Sequence, residues 1–154
     1  MATAPELVAF GSCAHQDKPQ PLWDVIAKNS PELFIFSGDN VYASQPETKP
    51  IGVQYKKLNL IPEFRRFREH IPIFATWDDH DYGVNDAGSD NPEKEEAKRE
   101  FLNQWTYVRD SLSMGQKGVY HTKILGGVKK KSPTLQIIML DTRWFRSPLK
   151  KVED

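Results

Sequence analysis

Three short apolar runs, each stopping at a polar loop and separated from the next by a segment of helical periodicity, constrain this chain more than any other feature. Residues 7–10 run into Gly11-Ser12, residues 33–36 into Ser37-Gly38, and residues 71–77 into Asp78. Apolar runs this short, bounded by turn-forming residues, read as strands buried on both faces. Between the first two, Leu22, Trp23 and Ile26 fall at helical spacing within residues 21–28, and Asn29 and Pro31 stop the helix. Before the third, residues 62–70 place Phe64 and Phe67 on one helical face. A β-α-β-α-β order needs parallel strands joined by right-handed crossovers, because only a long connection returns the chain to the start of a parallel neighbour. The pattern predicts an α/β fold with a mainly parallel βαβαβ sheet.

The longest helix is expected to start at Asn91 as N-cap, with Pro92 in the first helical position and Glu93, Glu95 and Glu96 near the positive end of its dipole. Ala97, Phe101, Trp105, Val108 and Leu112 then recur at steps of four, four, three and four, which predicts one continuous helix packed on the sheet. Residues 118–125 and 135–140 read as two further strands around a Gly126-Gly127 turn, with Lys129, Lys130 and Lys131 as a solvated hairpin tip. At 154 residues the chain has the size of one domain, residues 1–154, and no internal repeat divides it.

Composition narrows the partners. Lys plus Arg equals Asp plus Glu at 21 each, so no global field attracts a polyanion, and a nucleic-acid partner is not expected. No stretch reaches the roughly 18 apolar residues that a membrane span requires. The first residues lack the basic and apolar regions of a secretory leader, and nothing in the sequence fixes a compartment. A single cysteine, Cys13, excludes an internal disulfide and the Cys-rich zinc scaffolds.

In an open parallel sheet, ligands collect outside the carboxyl ends of the strands. The segments there are Ser12-Cys13-Ala14-His15, Gly38-Asp39-Asn40-Val41-Tyr42, Asp78-Asp79-His80-Asp81 and, after the last strand, Asp141-Thr142-Arg143. Cys, His, Asp and Tyr are all metal-ligating types. Asp39, Asp78, Asp79, Asp81 and Asp141 gathered at one edge would repel one another unless a cation offset them, so a metal site is the economical expectation. Dinucleotide, Walker and nucleophile-elbow motifs are all missing from the sequence. A thiol hydrolase with Cys13 as nucleophile and His80 as base uses two of these residues but leaves the acidic run without a role.

In these segments the sequence resembles the calcineurin-like metallophosphoesterases, and most closely their alkaline phosphatase D (PhoD) branch. Ser12-Cys13, Gly38-Asp39-Asn40-Val41-Tyr42, Trp77-Asp78-Asp79-His80-Asp81 and Leu140-Asp141-Thr142-Arg143 resemble, in order, that branch's S-C, G-D-x-x-Y, W-D-D-H-[DE] and L-D-x-R elements. The resemblance implies half of an αββα sandwich and a phosphomonoesterase or phosphodiesterase whose hydroxide is activated between two metal ions. It makes Cys13 the thiolate and Tyr42 the phenolate ligand of Fe(III), and Asp39 the bridge to a second ion, Ca(II). Asp79 falls at a further metal-binding position, His80 at the residue that contacts phosphate and leaving group, and Asp81 at the acid that orients His80. Arg143 falls at a position suited to holding the phosphate of a small ester substrate.

The resemblance spans nearly the whole chain but only the N-terminal half of the family's catalytic domain. Its later Asp-x-His elements have no counterpart after Arg143, and the four histidines, His15, His70, His80 and His121, include none in such a setting. The alternative expectation is therefore a non-catalytic remnant that binds metal or phosphate, or a half completed by a second copy. Half of a sandwich exposes a broad apolar face, which predicts self-association.

Overall fold

The computed structural model, which describes residues 3–127 and 132–150, is of mixed α/β class. The three apolar runs form β1 (Val8–Gly11), β2 (Leu33–Phe36) and β3 (Ile73–Ala75) of one parallel sheet in the order β1-β2-β3. Helix α1 (Leu22–Ala27) links β1 to β2, and α2 (Ile51–Leu60) and α3 (Pro62–His70) link β2 to β3. Then follow α4 (Asp79–Tyr82), α5 (Lys94–Gln104), α6 (Thr106–Arg109) and an antiparallel hairpin, β4 (His121–Gly126) and β5 (Thr134–Met139). The expected basic tip at Lys129, Lys130 and Lys131 lies outside the described residues.

Alternation along the strands gives the sheet two buried faces. Phe34 and Phe36 of β2 and Ile73 and Ala75 of β3 join the cluster under the helices, whereas Leu33 and Phe74 join Leu125, Ile137 and Met139 under the hairpin. On the helical side Trp23 stands 5.1 to 5.5 Å, centroid to centroid, from Phe34, Phe36, Phe64 and Phe67. Each of these rings, removed from water, contributes roughly 1.5–3 kcal/mol, which is why three- and four-residue strands suffice here. Phe10, at 78% exposure, and Leu22, at 67%, leave apolar side chains in solvent on β1 and α1, and the expected self-association points to that surface. Among the described residues no helix is long and apolar enough to cross a membrane.

Three expectations need correction. The long helix starts at Lys94, not beside Asn91. Asn91 is buried instead, its Oδ1 accepting from Glu93 N at 2.9 Å and its Nδ2 donating to Tyr82 O at 2.7 Å, so it anchors a turn against α4. The apolar stripe is real, with Ala97, Phe101, Trp105 and Val108 all buried, but the helix breaks at Trp105 (φ −113°, ψ 73°) into α5 and α6. Finally, α2 was not among the expected elements. Ile51, Tyr55 and Leu58, buried at i, i+4 and i+7, are the signal in the sequence that marks it.

Candidate metal centre

The chain that leaves each parallel strand is pinned to its neighbour. Cys13 N donates to Gly38 O at 3.3 Å and Ala14 N to Asp39 O at 2.9 Å, so the first two loops run side by side past the sheet edge. Cys13 (φ 63°) and Asp39 (φ 50°) both hold left-handed backbone conformations, which are uncommon for residues other than glycine. Gly38 (φ +128°) lies against the third loop, where a Cβ would come within 2.7 Å of the Asp78 Cβ. Only glycine allows the second and third loops to approach this closely.

These constraints bring the expected ligands together. The Cys13 thiol donates to Asp39 Oδ2 at 3.5 Å. One ligand-capable atom each from Asp39, Asp79 and His80 lies within 4.8 Å of the others, a spacing that could hold a metal ion. Tyr42 stacks on His15 at 4.7 Å and meets His80 in a tilted contact at 4.1 Å between ring centroids. Asp39 Oδ1 is buried and has no hydrogen-bond partner among the described residues. A carboxylate oxygen left bare in this way is destabilising unless something positive meets it, so the residues present fit a cation.

Electrostatics agree with that fit. Burial raises the Asp39 pKa, with Asp79 and Asp78 adding to the rise and His80 opposing it. Burial also raises the Tyr42 phenol, and the Cys13 thiol beside it and the nearby carboxylates push the same way. Without a cation this edge favours neutral side chains, and a bound cation would reverse the preference by stabilising carboxylate and phenolate.

The acidic run 78–81 divides into separate jobs. Asp78 caps α4 and pairs through Oδ1 with Arg143 Nε, while Arg143 Nη2 stands 3.7 Å from Asp79 Oδ1. Part of the negative charge expected to require a metal is thus offset by Arg143. The guanidinium is charged at any working pH, and against the effect of burial the Asp78 and Asp79 carboxylates raise its pKa further; its Nη1 is buried without a partner among the described residues. Asp141 does not face the site either. Its Oδ1 accepts from Trp77 Nε1, Arg143 N and Trp144 N, and its Oδ2 from Val119 N, which fixes the segment that carries Arg143.

Asp81 departs most from its implied role. It is fully buried, and its carboxylate accepts from Asn40 Nδ2 and Val41 N at 3.0 Å, Asp78 N at 3.1 Å and the Tyr55 hydroxyl at 3.3 Å. Burial pushes its carboxyl up to about 7 despite these bonds. Asp81 locks the Asp39 loop to α4, and the group hydrogen-bonded to His80 Nδ1 is Ser44 Oγ, at 2.6 Å. Sequence reasoning missed Ser44, which stands two residues beyond the G-D-x-x-Y pattern. It also missed Gln16, whose side-chain amide donates to Tyr42 O at 3.0 Å and accepts from Tyr42 N at 2.8 Å. Neither belongs to a motif, and only the meeting of two loops reveals them.

Comparisons with known proteins give no match among family models, curated proteins or solved structures.

Proposed function

We propose that this chain is a metal-dependent phosphoric ester hydrolase of the PhoD type, acting on small phosphomonoesters or phosphodiesters. The observation that carries the reading is Asp39. One of its oxygens meets the Cys13 thiol, the other is buried with no partner among the described residues, and a carboxylate oxygen of Asp79 stands within 4.8 Å. Cys13, Asp39, Tyr42 and Asp79 would hold the metal. A thiolate and a phenolate together suit a highly charged ion such as Fe(III), with Ca(II) as the companion implied by the resemblance. Bound cations would supply Lewis acidity toward the phosphoryl oxygens and lower the pKa of water at the site.

The protein's own groups do the rest. His80, hydrogen-bonded to Ser44 and packed beside the ring of Tyr42, is placed to donate a hydrogen bond to the oxygen that leaves phosphorus. Arg143 offsets Asp78, and its guanidinium stands beside the site with Nη2 3.7 Å from Asp79 Oδ1, a placement that suits a phosphoryl oxygen. The test is to load the protein with Fe(III) and Ca(II), measure bound metal, and assay hydrolysis of 4-nitrophenyl phosphate and bis(4-nitrophenyl) phosphate. Stoichiometric metal with turnover of either ester is the expected result. Metal without turnover would leave a binding protein only, and the absence of both would overturn the reading.

A further inference from the structure

The imidazole of His80 has two nitrogens, and which one carries the proton decides what the residue can do. A protonated Nε2 is a donor to an oxygen at the site, whereas a bare Nε2 is a metal ligand. Nδ1 is occupied by Ser44 Oγ at 2.6 Å, so Nε2 is the nitrogen left to address the site. A His80 ligand-capable atom lies within 4.8 Å of carboxylate oxygens of both Asp39 and Asp79, and carboxylates only accept. That neighbourhood favours a proton on the nitrogen turned toward it. The matching partner at Nδ1 is a donor, and the serine hydroxyl can rotate to be one.

We propose that Ser44 is a positioning residue: its hydroxyl donates to His80 Nδ1 and holds the ring in the tautomer with its proton on Nε2, so that His80 serves as a hydrogen-bond donor and not as a metal ligand. The surrounding contacts keep the ring in place while Ser44 sets the proton. The ring packs against Tyr42 in a tilted contact at 4.1 Å, and the His80 backbone carbonyl accepts from Ala43 N at 3.3 Å, the residue next to Ser44. The loop that follows β2 therefore grips α4 at both the backbone and the imidazole.

The consequence for catalysis rests on the phosphoesterase reading above, but the state of the ring does not, and the two are measured separately. Nitrogen-15 NMR of the metal-free protein at about pH 8.5, where an ordinary imidazole is neutral, should show His80 as the Nε2-protonated tautomer. Ser44→Thr should keep that signature and Ser44→Ala should shift it toward a mixture. An Nδ1-protonated ring in the parent protein, or an unchanged ring in Ser44→Ala, would overturn the inference whatever the enzyme does. In the metal-loaded protein, Ser44→Ala should lower kcat about 10-fold on an alkyl phosphate ester, whose strongly basic leaving oxygen depends most on a hydrogen bond from Nε2, with little change in KM. On the 4-nitrophenyl ester, whose leaving group needs none, the loss should stay within about 2-fold. Ser44→Thr should restore the alkyl ester rate. Equal losses on both esters would overturn the donor role. A parent protein that hydrolyses neither ester defeats the phosphoesterase reading and leaves the NMR result to decide the tautomer.

Discussion

Asp39 bears opposite demands at a single position: a left-handed backbone, a buried carboxylate, and one oxygen with no partner among the described residues. Groups held this unfavourably persist where the surrounding structure fixes them, and here two neighbouring loops do so. Asp39→Asn keeps the shape and removes the charge. In the metal-loaded protein we expect bound metal near zero and hydrolysis at background, read by metal analysis beside phosphatase kinetics. His80→Asn should differ by retaining metal while slowing turnover about 10²-fold or more, because its work lies in the transition state. Metal lost in the His80 variant would make it a ligand, and metal retained in the Asp39 variant would remove Asp39 from the centre. Asp79, whose Oδ2 also accepts from Asp86 N at 2.9 Å, is held from behind by the turn after α4. That contact, like the Ser44 hydroxyl on His80, has no motif in the sequence. Spacing shows which residue types share a loop, but which atom faces which is set by neighbours distant in the chain.

At the scale of elements, the site is the place where three strand-end loops crowd together, and Gly38 sets their separation. A Cβ at this position would sit 2.7 Å from Asp78 Cβ and 3.2 Å from Asp78 N, backbone and side chain that cannot yield without moving α4. Its φ of +128° is strained for any other residue. Gly38→Ala should therefore destabilise the fold by about 1–3 kcal/mol, seen as a lower urea midpoint. It should also weaken metal binding, because Asp39 and Asp79 move apart. A variant with unchanged midpoint and metal content would show that the loops are not held by this contact. The helices illustrate how far periodicity reaches. Phe64 and Phe67 in α3 are buried as their spacing predicts, and the element runs over Pro62–His70. The stripe from Ala97 to Val108 is buried too, yet the backbone turns at Trp105 because a single straight helix is not required to keep those side chains inward. Apolar spacing reports which residues go inside. It does not report every break in the chain that carries them.

For the molecule as a whole, the hairpin packs against the second face of the sheet, and His121 lies at that junction. It is 7% exposed, its Nδ1 bonds Val119 O at 2.8 Å, its Nε2 has no partner, and its ring lies edge-on to Tyr107 at 5.9 Å. Burial lowers its pKa, with the Val119 carbonyl opposing and Lys123 adding to the fall. Between that lowered value and the ordinary 6.5, the unfolded chain binds a proton that the folded protein refuses. Stability from this group is thus whole above 6.5 and declines as pH falls below it, by at most about 1.4 kcal/mol per pH unit. Urea unfolding across this range should show a shallower acid loss in His121→Phe than in the parent, and equal slopes would remove His121 as the cause. The sequence by itself determined the parallel three-stranded sheet, its two buried faces, and the delivery of Cys13, Asp39, Tyr42, Asp79 and His80 to one edge, because strand alternation and the direction of a parallel sheet leave little choice. Tertiary structure alone decided how the acidic residues share their work. Asp78 is matched to Arg143, Asp81 locks a loop and Asp141 anchors a turn, while Asp39 and Asp79 join His80 in the group that could hold a metal ion. Charge pattern counts carboxylates, but the partner each one meets depends on contacts between residues as many as 65 positions apart.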